Sequence, residues 1–332
     1  MSLGLMGAGH VPAPVIARTF DYAAAAKESV ACALCGQVAF QPLASIDRYG
    51  MGLATVGCLG CGLVQTRPRL TAASFDAFYR NDYRAYYQGV VEPSEGYVRQ
   101  MKKGARLDAT VAFLQGAGVL DDALAMLDVG CSEGTLFKAL RGGGFTGPLL
   151  GVEPNDAFRA YASEQHGADT VASEAAMPAR WRGKVGLVSM IHVLEHVADP
   201  VATLSRLTGF LAPGGHIYVD VPDVGAYSSL NDLHVAHVYH FSQATLRQTL
   251  EAAGLSVVRL EAHRPPGHPP SLRAIAAGGL SAAPNGSVAA PRRAFACDRT
   301  GWSTIRIINR QRFRLAVKRG LRRLRGRPEG RA

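Results

Sequence analysis

The chain has 332 residues, 48% of them apolar and 19% charged; it can bury a sizeable core and is not a disordered, collagen-like or small disulfide-stapled protein. The formal charge of +10 is concentrated: residues 299–332 carry twelve Arg and Lys against one acid, Glu329, and the remaining 298 residues sum to −1, so basicity belongs to a tail and says nothing about what the body binds. No stretch reads as a membrane span, because the long uncharged run 274–291 contains Gly278, Gly279, Pro284 and Asn285, and no basic residue precedes an apolar core at the N-terminus, so a secretory signal is not expected.

In chain order, residues 1–30 read as a loose Ala- and Gly-rich leader with one short helix near 23–28. Residues 31–95 form a front module holding two cysteine pairs, Cys32-Ala-Leu-Cys35 and Cys58-Leu-Gly-Cys61, with 22 residues between them, and a Tyr-rich segment through Tyr79, Tyr83, Tyr86 and Tyr87. A helix is predicted over about 96–116. Strands are predicted at 125–129, 149–152, 169–172, 185–191 and 216–221, with helices at 136–141, 156–166 and 200–211 between them. This alternation predicts an α/β fold, a doubly wound, mostly parallel sheet covered by helices on both faces. A helix at 244–253 and strands at 256–261 and 271–276 close a domain spanning 96–277. Residues 278–298 read as a linker, and 299–332 as a basic helix or tail, with Phe313, Val317, Leu321 and Leu324 on one helical face.

Each C-x2-C turn presents two thiolates to one ion, and two such turns complete the tetrahedral S4 site that zinc favours. Cys32, Cys35, Cys58 and Cys61 are therefore candidate zinc ligands in a closed, structural site. Two disulfides are the rival reading, without a secretion signal to support it. Cys131 and Cys297 have no partner in the pattern.

The stretch Leu127-Asp128-Val129-Gly130-Cys131-Ser132-Glu133-Gly134-Thr135 ends a strand and opens a helix through a glycine-broken turn. It lacks one glycine of the dinucleotide fingerprint and places a carboxylate at the strand end, which repels an anion and attracts a cation. Glu153, in Gly151-Val152-Glu153-Pro154-Asn155, falls where the second strand ends and can accept both hydroxyls of a ribose. A cationic nucleoside with an amino-acid tail, such as S-adenosylmethionine, suits both acids. The alternative is that Asp128 and Glu153 cap the following helices.

With these segments, Ile191-His192-Val193-Leu194-Glu195-His196-Val197-Ala198-Asp199-Pro200 and Leu211-Ala212-Pro213-Gly214-Gly215, the chain resembles the class I S-adenosylmethionine-dependent methyltransferases over about 120–265. The front segments Asp47-Arg48-Tyr49-Gly50, Cys58 to Val64 and Arg67-Pro68-Arg69 resemble the zinc-binding module of bacterial methyltransferases acting on sugars, including nucleotide-sugar C-methyltransferases. The resemblance implies a seven-stranded Rossmann-like sheet and a cofactor site of Asp128, Gly130, Cys131, Gly134, Glu153, Pro154, His192 and, for adenine, Ser173 or Glu174.

Methyl transfer is an in-line displacement in which positioning carries much of the catalysis, and a base is needed when the acceptor must lose a proton. Candidates are His192, at the carboxyl end of the fourth strand, His196 four residues on, and the group His234, His237 and His240; against each stands the structural reading, the commoner one for a lone histidine. The last three could also ligate a metal from one helix. The sugar C-methyltransferases carry a Tyr-x-Glu-His segment here whose histidine is thought to be the base. Aligned on His237, this chain has His234 for the Tyr and Ala236 for the Glu, which shifts expectation toward O-methylation. Tyr83 and Arg84 are placed to bind an acceptor hydroxyl or phosphate, or to pack the front module on the catalytic one.

The expected function is methyl transfer from S-adenosylmethionine to a nucleotide-linked or glycan sugar. The alternatives are a small-molecule methyltransferase of a natural-product pathway and a non-catalytic cofactor-binding scaffold. The expected location is the cytoplasm. The basic tail has three readings: contact with an anionic membrane surface, docking on the body or a second subunit, or a solvated chain. Nucleic acid is disfavoured, because few aromatic residues interleave with the charges.

Overall fold

The computed structural model describes residues 20–88, 90, 92–101, 103–279 and 296–311. The short helix expected near 23–28 is not formed. Asp21 instead accepts the amides of Ala23 and Ala24 in a turn, and Lys27–Glu28 is a strand, β1. The front module continues with β2 (Phe40–Ala44), β3 (Thr55–Cys58) and β4 (Val64–Thr66), an antiparallel meander, and with β5 (Arg69–Leu70), which pairs with β1. Four helices follow: α1 (Ala72–Asn81), α2 (Tyr83–Gln88), α3 (Glu95–Met101) and α4 (Gly104–Gly116). The single helix expected over 96–116 is thus two, α3 and α4, and Lys103 stands between them with its ammonium on Glu133.

The larger sheet contains β6 (Ala125–Val129), β7 (Leu149–Val152), β8 (Asp169–Val171), β9 (Val185–Ile191) and β10 (Leu211–Pro222), all parallel, with α5 (Thr135–Gly142), α6 (Asp156–His166) and α7 (Pro200–Thr208) in the connections. After β11 (Tyr239–His240) and α8 (Gln243–Ala252) come β12 (Leu255–His263) and β13 (Ser271–Gly278), and β13 lies antiparallel between β10 and β12. The order β12-β13-β10-β9-β6-β7-β8 makes a seven-stranded, mostly parallel sheet that reverses direction of growth between β6 and β9. That reversal opens a crevice at the carboxyl ends of the strands, the usual ligand position in such sheets. Both flanking strands are apolar and buried almost throughout, because helices cover both faces.

Local chemistry sets the helix starts. Asn155 accepts the amide of Phe158 at α6, Asp199 precedes Pro200 and accepts the amide of Ala202 at α7, and Ser242 and Thr245 form a reciprocal capping box at α8. The helix predicted over 200–211 therefore starts as expected but stops at Thr208, because Leu211 already belongs to β10.

The fourth strand of the front sheet comes from the other module. Strand β11 pairs antiparallel with β4, Tyr239 opposite Gln65 and His240 opposite Val64. The two modules consequently share one core, in which Cys58, Cys61 and Leu63 pack in the same cluster as Val238, Phe241 and Val219.

The C-terminal segment departs from expectation where it is described. Residues 296–298 are not a linker: the amide of Asp298 donates to Cys61 O at 3.2 Å, and its carboxylate accepts from Ser242. Residues 302–311 are helical. Trp302 is 1% exposed, and its Nε1 donates to Gly62 O at 3.1 Å. Its ring fills the space above Gly57, where a Cβ would lie 2.3 Å from it. This stretch docks on the body; the apolar face expected at Phe313, Val317, Leu321 and Leu324 lies outside the described residues.

Trp302→Ala should cost about 3–5 kcal/mol of stability, as removal of a fully buried tryptophan does. Urea unfolding followed by far-UV circular dichroism measures it, and a loss below about 1 kcal/mol would mean that the segment is not docked in solution.

Candidate active site

The loop after β6 combines a strand end with three left-handed corners at alternate residues. Gly130, Ser132 and Gly134 have φ of 78°, 55° and 80°. A Cβ at Gly130 would lie 2.5 Å from Val193, and one at Gly134 would lie 2.4 Å from His166, so both positions demand glycine twice over. Ser132 stands at the glycine missing from the fingerprint. It bears the left-handed corner as a residue with a Cβ, and its hydroxyl accepts from Arg84 at 3.0 Å and donates to Glu133 at 2.5 Å.

Asp128 is buried at the end of β6 and accepts from Ser189 of β9 at 2.5 Å. Burial pushes its carboxyl up to about 7, in spite of that bond. Glu153, past the end of β7, is 4% exposed. Its Oε1 accepts the amide of Asn155 at 2.9 Å; its Oε2 accepts the amide of Ser132 at 3.1 Å and Arg84 at 2.8 Å. The helix N-caps here are Gly134 and Asn155, so neither acid is a cap and the structural alternative for them is removed.

Two cations enter this acidic loop from the preceding helices. Arg84 of α2 pairs with Glu153 and lies 4.0 Å above the ring of Phe158. Lys103 donates to both oxygens of Glu133 at 2.8 and 2.9 Å, which holds that carboxyl down at about 2. The cleft between Asp128, Ser132, Lys103 and Ile191 encloses about 70 Å³. A drug-sized ligand needs roughly 300–1,000 Å³. Lys103, which lines this cleft, must therefore shift for a nucleoside to lie along the loop, and Arg84 must leave Glu153 for that carboxylate to take a ligand's hydroxyls.

Of the other expected cofactor residues, Cys131 is buried beside Gly151, Pro154 follows Glu153, and His192 ends the neighbouring strand. Ser173 is exposed beyond β8, and Glu174 pairs with Arg206 at 3.1 Å.

The histidines gather around one carboxylate. Glu195 is 1% exposed, and neither of its oxygens has a hydrogen-bond partner. Around Oε1 stand His192 Nδ1 at 3.4 Å, His196 Nε2 at 3.6 Å and His237 Nε2 at 3.9 Å. Burial raises Glu195 to about 7, lowers His192 to about 4 and sends His237 well below its ordinary value, so these imidazoles are neutral with a lone pair at neutral pH. His237 Nδ1 donates to Asp232 O at 2.8 Å, which leaves Nε2 as the free lone pair. His192 has φ 54° and packs against His268 in a tilted arrangement with ring centroids 4.3 Å apart.

His234, His237 and His240 do not share a helix; His234 and His237 precede β11, and His240 lies in it. His240 Nδ1 is spent on Tyr227 OH at 2.9 Å, and His234 stacks between Tyr87 and His237. The three-histidine metal set is therefore not formed; a different trio, Glu195, His196 and His237, converges instead. Tyr83 stacks on Tyr79 at 4.5 Å and meets the edge of His196, so the tyrosines do pack the front module, on the histidine cluster itself.

In the front module the four cysteine sulfurs converge within 4.8 Å of one another, with Cys32 Sγ 3.5 Å from Cys61 Sγ and Cys35 Sγ 3.4 Å from Cys58 Sγ. A disulfide needs about 2.05 Å, whereas four thiolates at about 2.3 Å from one ion lie about 3.8 Å apart. The donor set suits a soft tetrahedral ion.

Residues 97–260 match the model of a methyltransferase domain family. This region carries a methyltransferase domain. Part of this methyltransferase domain is 33% identical over 99 residues to the ubiquinone biosynthesis O-methyltransferase of Marinobacter nauticus, covering 28% of this chain and 42% of the relative. The corresponding protein of Psychrobacter arcticus is 36% identical over 96 residues, 27% of this chain and 37% of the relative. The chain thus spans less than half the length of these curated relatives. The fold matches that of the Burkholderia thailandensis 1,6-didemethyltoxoflavin-N1-methyltransferase, solved with S-adenosylhomocysteine, at TM-score 0.50 and 16% identity over 68% of this chain and 96% of that one.

Sequence reasoning missed Glu133 with Lys103, and it did not single out Glu195. The first pair joins residues 30 apart through a helix boundary that periodicity blurs. The second had a signal: an acid flanked by His192 and His196 at the carboxyl end of a strand.

A positively charged cofactor should bind the methyltransferase domain better when Asp128 is ionised. Affinity for S-adenosylmethionine should rise roughly tenfold from pH 6 to pH 8, through the Asp128 value of about 7, and flatten above it. Asp128→Asn should lack the rise, as isothermal titration calorimetry would record. The stability contribution has the opposite sign: the native carboxyl keeps its proton while the unfolded one ionises near 3.9, so stability falls between about pH 4 and 7.

Proposed function

We propose that the protein transfers a methyl group from S-adenosylmethionine to a hydroxyl oxygen of an acceptor bound between the loop after β6 and the histidine cluster. The observation that carries this reading is the coincidence, at one end of the sheet, of the buried pair Asp128 and Glu153 with histidines kept neutral. S-adenosylmethionine supplies a methyl on a positive sulfur. Asp128 orients the cationic end, Glu153 takes the ribose hydroxyls once Arg84 moves aside, and the backbone at Gly130 and Gly134 admits close approach. His237 or His192 accepts the proton of the acceptor hydroxyl as its oxygen attacks. Tyr83 and Tyr79 wall the acceptor side.

The acceptor class favoured is a sugar, because the wall is a mixture of stacked tyrosines with His196, His234 and Arg48, which suits a polyhydroxylated ring. Replacement of the expected Glu by Ala236 favours oxygen over carbon. The named activity of the ubiquinone-biosynthesis relatives favours a second reading, a phenolic acceptor stacked on the same tyrosines. The four cysteines are assigned to structural zinc, which fixes the front sheet.

S-adenosylhomocysteine should raise the melting temperature of the wild type and leave that of Glu153→Ala unchanged. Arg84→Ala should lower the melting temperature without ligand, since removing one partner of a buried ion pair costs about 3–5 kcal/mol, yet show the larger ligand-induced rise. Methyl transfer tested by mass spectrometry on nucleotide sugars and on catechols separates the two acceptor classes, and transfer to neither, with no ligand shift, would sink the reading. Metal analysis should find one zinc per chain held by the cysteines, lost in Cys58→Ser.

A further inference from the structure

We propose that Glu195, His196 and His237 form a second metal site, for a divalent first-row ion, beside the candidate cofactor cleft. One buried carboxylate with two oxygens lacking any partner is costly unless a cation completes it. Two imidazole Nε2 atoms already face Oε1, from His196 at 3.6 Å and His237 at 3.9 Å, and the three ligand atoms all lie within 4.8 Å of one another. Contraction of about 0.5 Å or less brings each nitrogen to the distance from Oε1 expected of ligands about 2.1 Å from one ion. The outer contacts are those that metal-bound histidines keep. His237 Nδ1 donates to Asp232 O, and His196 Nδ1 lies 2.5 Å from Tyr79 OH, so each ring is held with Nε2 turned toward Glu195. Two nitrogens and a carboxylate suit manganese, iron, cobalt or zinc in preference to calcium, and they leave coordination positions for oxygen ligands. The His196 side chain is 11% exposed, which supplies a way in.

This assignment rests on the proposed methyl transfer for its role and deepens it: the ion binds the acceptor hydroxyl and makes its proton more acidic. His192, outside the trio, then takes that proton, the oxygen forms its bond to the methyl carbon, and the carbon–sulfur bond breaks with its electron pair leaving on sulfur.

The test uses the full chain with its cysteine site loaded with zinc and the manganese ion as probe, since Mn²⁺ competes poorly for thiolates. Calorimetry and electron paramagnetic resonance should show one Mn²⁺ per chain, bound at least tenfold more weakly in Glu195→Gln and in His237→Gln, with far-UV circular dichroism unchanged. Should either variant fail to fold, His196→Gln provides the same measurement. Wild type that binds no Mn²⁺, or binds it equally in the folded variants, overturns the site. Binding without methyl transfer to any acceptor keeps the site and removes the enzymatic reading; full transfer rates by metal-free protein retaining its zinc remove the ion's role.

Discussion

The ladder between β4 and β11 is the constraint on which the rest of the site depends. It comprises two paired residues, Tyr239 with Gln65 and His240 with Val64, extended by the amide of Thr66 to Val238 O at 2.8 Å and by Thr66 Oγ1 to His237 O at 3.1 Å. The amide of Val238 donates in turn to Glu195 O at 2.8 Å. The backbone of a small cysteine-bearing module thereby fixes the height of His237 and the distance to the acid it faces. Without that module the segment 231–238, which has only turns, would lose the ladder and the Thr66 bonds that hold it against the crevice.

The same arrangement explains why the front module needs a staple. Its strands have two to five residues each, too little to bury a core alone. Its stability comes from the four converged sulfurs, from the core shared through Leu63 and Phe241, and from Trp302, which returns from the far end of the chain to cover Gly57 and bond to Gly62. Three distant parts of the sequence meet there: the cysteines, the histidine segment and the C-terminal helix.

What the sequence disclosed follows from how local each signal is. Strands β6, β7 and β9 were bounded to the residue, because buried parallel strands are continuous apolar runs broken by glycine, proline or acids. Helix α6 was equally legible, with Asn155 before it and Gly167, in the left-handed conformation, after it. The acids at the strand ends and the paired cysteines were legible because their spacing is itself the chemistry. The break between α3 and α4 was not, since Lys103 is an ordinary helix former that keeps helical backbone angles at the start of α4, and only its ammonium is drawn to Glu133, thirty residues on. Nor was the docking of residues 296–311, for which composition gave only charge while a single tryptophan decided the outcome. Glu195 carried a local signal in its flanking histidines, but its full setting was not legible, because His237 is brought near by a ladder with a strand about 175 residues earlier in the chain.

The matched methyltransferase region begins at residue 97, after the cysteines and after β4. A fragment cut at that boundary would leave β11 as an open edge and free the histidine segment of its register. Any chimera built across this boundary must therefore carry the cysteine-bearing head and the histidine segment together, as one inherited unit.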